Sequence, residues 1–360
     1  MSRERPLSAM SSHPRLRVDP GRPFIHPAFD YLLIGGGLSL LVIGWLTFGR
    51  APAVRQWLQT NLWTLVLLSN SAHFAGSTVR LYTKPGSFRD LPFLTMGLPL
   101  VSVAVLTLAI AWPGGLGRHL QSLYLTWSPY HYAAQAYGLA VMYCYRSGSP
   151  WTEDDKRWLR IASFLPFLHV FLAVPGAGIE WLMPAAVLRQ PAAEAVRSGA
   201  VAGLRVLSFL TPAVIFLLHQ REGRSRLPLI SLLILLSNSV WLVGLGYTTP
   251  LTIAVVTVFH GLQYLAILTI FHVKERVRAP AGPRAWWSQA LGFYAACLAL
   301  GYVLFQVWPY AYVLLGFGFA ESVLLVIAAI NVHHFVVDAF IWRLRRDSNY
   351  AVVSAQPAVG

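Results

Sequence analysis

Four separate apolar stretches of the chain each carry a histidine with a polar or aromatic side chain about one helical turn away. The histidines are His73, His131, His260 and the adjacent pair His333 and His334. Residues three or four apart lie on one face of a helix, so each stretch presents its histidine and partner together. Neutral imidazole is a good ligand for iron, copper and zinc. Because polar groups inside membrane-grade segments are costly, this pattern indicates a functional site.

The partners of these histidines supply the other groups that such a site needs. Asp338 lies four residues after the last histidine, where its carboxylate could ligate a metal or orient an imidazole ring. Gln135 and Gln263 each follow a histidine by about one turn and could hydrogen-bond a histidine or a substrate. We therefore assign Asp338, Gln135 and Gln263 to catalysis. The deep tyrosines Tyr132 and Tyr264 are assigned to cofactor contact.

The adjacent histidines His333 and His334 cannot easily serve one face of a helix, since neighbouring residues point about 100° apart. One of the two would ligate a metal, and the other would face a second metal or another helix. We nevertheless include both in the predicted metal-ligand set, with His73, His131 and His260.

The composition places these residues in a membrane protein. The 360-residue chain is 56% hydrophobic and 12% charged, whereas soluble domains carry about 25% charged residues. Apolar runs of about 20 residues, the length that crosses a bilayer, recur along the whole chain. The prediction is an all-α, polytopic transmembrane helical bundle. Its ten spans are predicted at 30–49, 58–79, 92–112, 119–145, 157–177, 201–219, 227–247, 250–273, 288–308 and 317–342.

The basic residues predict how the bundle is oriented. With the N-terminus in the cytoplasm, 22 of the 28 Lys and Arg residues fall on the cytoplasmic side of the ten spans and 6 on the outer side. This bias follows the positive-inside rule and predicts cytoplasmic N- and C-termini, with the bundle in the inner (plasma) membrane. The net charge of +14 is spread over short loops rather than clustered, so the predicted partner is the lipid bilayer and not nucleic acid. All four histidine-bearing spans would then run in one direction.

The chain is predicted to form one folded domain with loose ends. Residues 1–29 would be a disordered basic tail, residues 30–346 a single transmembrane domain, and residues 347–360 a loose C-terminal tail. Within the domain, residues 178–200 would form an interfacial segment on the outer side.

The segments around the histidines resemble a known family. These segments are Ser71-Ala72-His73-Phe74, the stretch from Tyr130 to Gly138, Phe259-His260-Gly261-Leu262-Gln263-Tyr264 and the stretch from His333 to Arg343. Together they resemble a family of bacterial multi-pass, histidine-rich membrane proteins of uncharacterised activity. In style they are also similar to membrane di-iron enzymes, namely fatty-acid desaturases, sterol-type hydroxylases and carotene-cleaving oxygenases. Desaturases use several closely spaced histidines, whereas the tight pair in this chain is His333-His334 alone.

These observations lead to one preferred hypothesis and two alternatives. The preferred one is a metalloprotein with histidine-ligated iron, as a di-iron centre or haem. It would act as an oxidoreductase or oxygenase on a hydrophobic substrate resident in the membrane, with an electron donor that the sequence does not identify. The first alternative is a proton-coupled transporter that uses the same histidines and aspartate. The second is a structural membrane subunit in which each histidine hydrogen-bonds a neighbouring helix.

Overall fold

The computed structural model describes residues 18–49, 52–149, 151–220, 225–244, 250–277, 283–342 and 352–353. Helices account for nearly all of these residues, and no β-strand occurs among them. The predicted all-α class is therefore confirmed for the part of the chain that the structure describes.

Eleven main helices follow one another along the described chain. They are α1 (Pro27–Ile34), α2 (Gly37–Phe48), α3 (residues 52–83), α4 (Phe93–Ala111), α5 (Arg118–Arg146), α6 (Glu153–Ala173), α7 (Pro191–His219), α8 (Leu229–Gly244), α9 (Pro250–Arg276), α10 (Arg284–Leu314) and α11 (Phe319–Ile341). A π-helical turn, Leu67–Ser71, lies within α3.

Each predicted span coincides with a helix, and the first coincides with the pair α1 and α2, which meet at a 54° bend. Five helices, α4, α7, α9, α10 and α11, are long and apolar enough to cross a membrane, or six if the bent pair is one span. The protein is thus a helical membrane protein. Helices α3 and α5 are also long, but their Ser, Asn, His, Gln and Tyr residues lower their hydropathy. Some of the polar residues that lower the hydropathy of α3 and α5 are the predicted site residues.

The long apolar helices divide into central and peripheral ones. In α9 and α11, 61% of the most apolar window is buried, against 33% in α4, 22% in α10 and 17% in α7. Large apolar side chains such as Leu100, Leu210 and Leu291 are exposed on the peripheral helices. Extensive apolar exposure of this kind is typical of a surface that faces lipid. Helix α11 packs against α3, α4 and α5, so it lies at the centre of the bundle.

The four histidine-bearing helices end at the same side of the bundle. Near the end of α3, Arg80 forms an ion pair of 2.8 Å with Glu275 of α9. The Arg80 guanidinium also lies 4.8 Å from the centre of the Trp342 ring, just after α11. Arg146 of α5 and Lys274 of α9 both lie over the ring of Phe24, which precedes α1. The Arg146 guanidinium is 4.6 Å and the Lys274 ammonium 5.5 Å from the centre of that ring. The predicted common direction of α3, α5, α9 and α11 is therefore confirmed.

Short parts of both predicted tails pack against the bundle in the structure. Within residues 18–29, Phe24 is only 1% exposed, and Arg146 donates a hydrogen bond to the carbonyl of Pro23. In the C-terminal tail, Val352 and Val353 are buried in the same apolar cluster as Phe24. These short segments are ordered because apolar side chains enter the bundle, which polar composition alone does not reveal. Residues 1–17, 343–351 and 354–360 lie outside the described residues.

The predicted interfacial segment is only partly correct. Residues 178–200 begin with two short helices, Ile179–Leu182 and Ala185–Leu188. Helix α7 then starts at Pro191, ten residues earlier than the predicted sixth span. These ten residues lengthen the helix by about 15 Å, so that part of the predicted interfacial segment belongs to a long helix.

Candidate metal centre

Four histidines from four helices meet in the middle of the bundle. The ring of His73 in α3 lies 4.5 Å from that of His334 in α11 and 5.0 Å from that of His260 in α9, measured between ring centres. The ring of His131 in α5 lies 4.9 Å from His334, 5.4 Å from His260 and 6.3 Å from His73. All four side chains are buried, with at most 7% of each residue exposed. These four are among the five histidines predicted as metal ligands, and His333 is the fifth.

Three of these histidines present their ring nitrogens to a common point. One nitrogen each from His73, His131 and His334 lies within 4.8 Å of the others. The Nε2 atoms of His131 and His334 are 3.3 Å apart. Metal–imidazole bonds of about 2.0–2.1 Å place two ligands of a tetrahedral ion about 3.3–3.4 Å apart. The spacing of these two nitrogens therefore matches that of two ligands on one ion.

The ring nitrogens of His73 and His260 are the unusual feature of this cluster. Both nitrogens of each ring are buried and form no hydrogen bond with any described residue. His73 approaches the backbone carbonyl of Asn70, but outside hydrogen-bond geometry. A buried polar group without a partner costs about 1–3 kcal/mol, and a neutral imidazole offers one donor and one acceptor. A bound ligand would supply the partner that these two imidazole rings lack within the protein.

His334 is held with one nitrogen directed at the cluster. Its Nδ1 lies 2.9 Å from the Oγ of Ser77, and that hydroxyl donates its proton to the carbonyl of Phe74. The hydroxyl therefore accepts a hydrogen bond from Nδ1–H of His334. This assignment leaves a lone pair on Nε2, the atom that faces His131. Metal-bound histidines usually have their second nitrogen fixed in this way. Ser77 is absent from the predicted site residues, because its partner His334 lies on another helix 257 positions away.

Asp338 joins the same two histidines from one turn further along α11. Its Oδ2 lies 3.4 Å from the Nε2 of His334 and 3.8 Å from the Nε2 of His131. Its Oδ1 accepts a hydrogen bond of 2.6 Å from the hydroxyl of Tyr264. That hydroxyl in turn accepts a hydrogen bond of 3.3 Å from Nε1 of Trp342. The carboxylate is thus oriented by the protein on one side and faces the histidine nitrogens on the other.

His260 is positioned by close packing rather than by hydrogen bonds. Its ring stacks on that of Tyr132, with the centres 3.7 Å apart. The next residue, Gly261, lies so near α3 that a Cβ there would be 3.0 Å from the backbone of Ser69. A side chain at Gly261 would push α9 away from α3. The glycine therefore allows the close helix contact that brings His260 and His73 together.

The two glutamines predicted for catalysis bond to each other. Nε2 of Gln135 donates to Oε1 of Gln263 at 2.7 Å, and Nε2 of Gln263 donates to the carbonyl of Ile34. These bonds link α5, α9 and α1 beside the site. The sequence predicts that each glutamine hydrogen-bonds a histidine or a substrate. In the structure the two side-chain amides hydrogen-bond each other instead. His333 is partly exposed and lies outside the group of three whose nitrogens converge.

A cleft of about 810 Å³ leads to this centre. Its floor is formed by one face of α5, and its inner end is lined by His131, Asp338 and Tyr264. Its other end is lined by Lys156 and Arg160 from the first turns of α6. Ligand pockets usually measure about 300–1,000 Å³, so the cleft has room for a small molecule beside the histidines.

The chain matches no family model, no curated protein and no solved structure. The function is therefore argued from the geometry of the site.

Proposed function

We propose that the protein is an integral membrane metalloprotein whose histidine centre binds a transition-metal ion. The observation that supports this most strongly is that His73 and His260 are buried with no hydrogen-bond partner among the described residues, so that each ring has a nitrogen available as a metal ligand. They lie beside the converging nitrogens of His131 and His334. Desolvating four imidazoles in one place is costly, and a bound cation offsets this cost.

The arrangement favours one ion held directly by side chains. Five of the six pairs of rings lie 4.5–6.3 Å apart between centres, mostly edge to face. A haem would need a flat opening between its two axial histidines, and these rings leave none. Ferritin-like di-iron centres are held by several carboxylates, whereas Asp338 is the one carboxylate that faces the cluster among the described residues. The closely spaced histidine clusters of desaturases are not matched either, since the four histidines lie singly on four helices. We therefore propose a single non-haem ion with His73, His131 and His334 as ligands, His260 as the adjacent fourth imidazole, and Asp338 as ligand or orienting group.

The proposed activity is oxidation of a hydrophobic substrate that resides in the membrane. Iron in a histidine-rich site supplies redox chemistry when bound. Asp338, whose carboxylate is held by Tyr264, would hold or accept a proton beside the ion. The surrounding apolar helices would exclude water and admit substrates from the bilayer.

The proposed topology has ten spans, both termini in the cytoplasm of a bacterial cell and the bundle in its inner membrane. It is supported by the helix at each predicted span and by the side bias of the basic residues. Thiol-labelling of single cysteines in intact cells tests it, with Cys144 and Cys297 replaced first. Cysteines at Gly86 and Gly148 should react only after the membrane is permeabilised, and one at Gly114 should react in intact cells. The opposite labelling pattern would contradict the proposal and place both termini outside the cytoplasm.

Metal analysis of detergent-purified protein tests the proposed centre. The wild type should carry about one iron per chain, and His131→Ala and His334→Ala should each reduce this at least tenfold. His272→Ala is the matched control, because His272 is also buried on α9 but stacks on Phe293 away from the cluster. The control should keep its metal. A wild type without stoichiometric metal, or equal loss in His272→Ala, would contradict the proposal, and proton-coupled transport would then be assayed.

A further inference from the structure

The cleft beside the histidine centre has two chemically different ends joined by an apolar wall. Its inner end holds His131 and Asp338, and its outer rim holds Lys156, Arg160 and Glu153. Between them the lining is apolar or aromatic, including Ala134, Gly138, Leu139, Met142, Ile267 and Phe335. A cleft built in this way suits a molecule with a long apolar body and a polar end.

The length of the cleft follows from the helix that forms its floor. The lining residues of α5 run from Trp127 to Tyr145, and His131 lies 14 residues before Tyr145. At 1.5 Å per residue His131 lies about 21 Å from Tyr145, beside Lys156, and about 9 Å from Tyr137, beside Arg160. A branched or compact ligand would leave most of such a cleft empty. An extended chain that starts at Arg160 passes His131 after about 9 Å and continues along the lining toward Trp127.

The floor of the cleft is kept open by small residues. Ala134 and Gly138 lie one turn apart on the lining face of α5, and a Cβ at Gly138 would meet no atom within 4 Å. The space above Gly138 is therefore open, and any side chain at this position would project into the cleft. This makes residue 138 a place where the cleft could be blocked without touching a histidine.

The rim carries one net positive charge. Lys156 forms an ion pair of 2.8 Å with Glu153 and lies over the ring of Tyr145. The exposed guanidinium of Arg160 lies 5.1 Å from the centre of the Tyr137 ring. Stacking on a tyrosine leaves the edge of a guanidinium directed outward, where it binds a carboxylate through two parallel hydrogen bonds. The net charge of +1 on the rim is complementary to a monoanion rather than to a dianionic phosphate.

We infer that the cleft binds a long-chain carboxylate, with its carboxylate at Arg160 and its chain along α5 toward His131 and Asp338. Binding of this molecule depends on the cleft alone. Its identification as the substrate rests on the function proposed above, since it would place a carbon of the chain, rather than the head group, beside the metal centre.

Photolabelling in a lipid bilayer tests this inference directly. The full-length protein is placed in nanodiscs of neutral phosphatidylcholine with stearate that carries a diazirine within its chain, and labelled residues are mapped by mass spectrometry. Labels should appear on the lining faces of α5 and α11. Oleate should compete for these labels at least tenfold better than oleyl alcohol or oleoyl lysophosphatidate, which share its chain.

Two variants and one matched control locate the carboxylate and the chain. Arg160→Gln should weaken competition by oleate about tenfold, whereas Arg157→Gln, on the same helix but outside the lining, should leave it unchanged. Gly138→Phe should abolish labelling of the cleft. Equal competition by oleyl alcohol, equal effects of the two arginine variants, or labels confined to α4, α7 and α10 would overturn the inference. Stronger competition by oleoyl lysophosphatidate would also overturn it, in favour of a phosphate head group.

The metal and the cleft are separated by a further variant. His334→Ala should lose the metal but keep oleate-competed labelling within twofold, since His334 is not part of the cleft lining. Metal-free wild-type protein with normal labelling would contradict the proposed function and leave this inference standing. Wild-type protein that carries metal but shows no labelling of the cleft would contradict this inference and leave the proposed function standing.

Discussion

Two buried polar clusters lie in this bundle, and they differ in how well their groups are satisfied. At one end of the bundle, the fully buried carboxylate of Asp30 accepts hydrogen bonds from the Tyr143 hydroxyl and from the backbone amides of residues 24–26. In the middle of the bundle, the ring nitrogens of His73 and His260 make no hydrogen bond with a described residue. Both clusters are buried, but only in the first do the polar groups find their hydrogen-bond partners within the protein.

This difference separates a structural cluster from a ligand site. Buried polar groups in folded proteins are nearly always hydrogen-bonded. The Asp30 cluster follows that rule and holds the N-terminal segment against α5. The histidine centre breaks the rule in a place where four ligand-type side chains converge. Burial of polar groups is common to both clusters, so burial alone does not identify a functional site. The two clusters differ in whether their donors and acceptors have hydrogen-bond partners.

The largest predicted effect is the loss of Asp30. Asp30→Ala leaves three backbone amides and a tyrosine hydroxyl without their acceptor, and it should lower the free energy of unfolding by about 3–5 kcal/mol. Denaturant unfolding in detergent measures this change. Asp30→Asn retains one carbonyl oxygen and should lose clearly less. The fraction that remains folded should keep its full metal content, and a metal loss in Asp30→Asn would show that the two clusters are not separate.

A smaller effect is predicted for Ser77, which orients a histidine without touching the metal. Ser77→Ala frees Nδ1 of His334 and should weaken metal affinity about 10–100-fold. Competition with a chelator measures this loss. Ser163→Ala is the control, because Ser163 is equally buried but donates to Leu159 within α6. Equal affinities of the two variants would remove Ser77 from the site.

The smallest predicted effect has the opposite sign. His260→Leu replaces an unsatisfied imidazole with an apolar side chain, so it should stabilise the metal-free protein by about 1 kcal/mol. Thermal unfolding of chelator-treated protein measures this change. Metal at 100 times the dissociation constant should stabilise the wild type by about 2.7 kcal/mol and the variant much less. A destabilised metal-free variant would mean that His260 has a structural partner.

The sequence predicts the helices and the histidines of the site well. Apolar run length locates a helix at every predicted span, and the alternation of basic residues predicts that the four site helices run in one direction. Counted at 1.5 Å per residue from the basic residue near the end of each span, His73 lies about 10 Å and His131 about 22 Å from that end, so the sequence spreads the four histidines over about 12 Å. In the structure they lie at one level, because the helices are shifted along their axes and α9 approaches α3 closely at Gly261.

Contacts between helices are what the sequence does not reveal. The bridge between Gln135 and Gln263 and the bond from His334 to Ser77 each join residues more than 100 positions apart. Asp30 was placed at the edge of the first span, without the partners that make it a structural anchor. Such pairings depend on the lateral order and rotation of the helices, and apolar periodicity does not determine either.

X-ray absorption at the metal edge of the purified wild-type protein tests the central claim most directly. The account predicts one metal ion with three or four imidazole nitrogens at about 2.1 Å, recognisable by the scattering of the imidazole rings. Loss of one imidazole in His334→Ala should be visible in any metal that the variant retains. A metal surrounded by oxygen or sulfur alone, or purified protein without metal, would contradict the account.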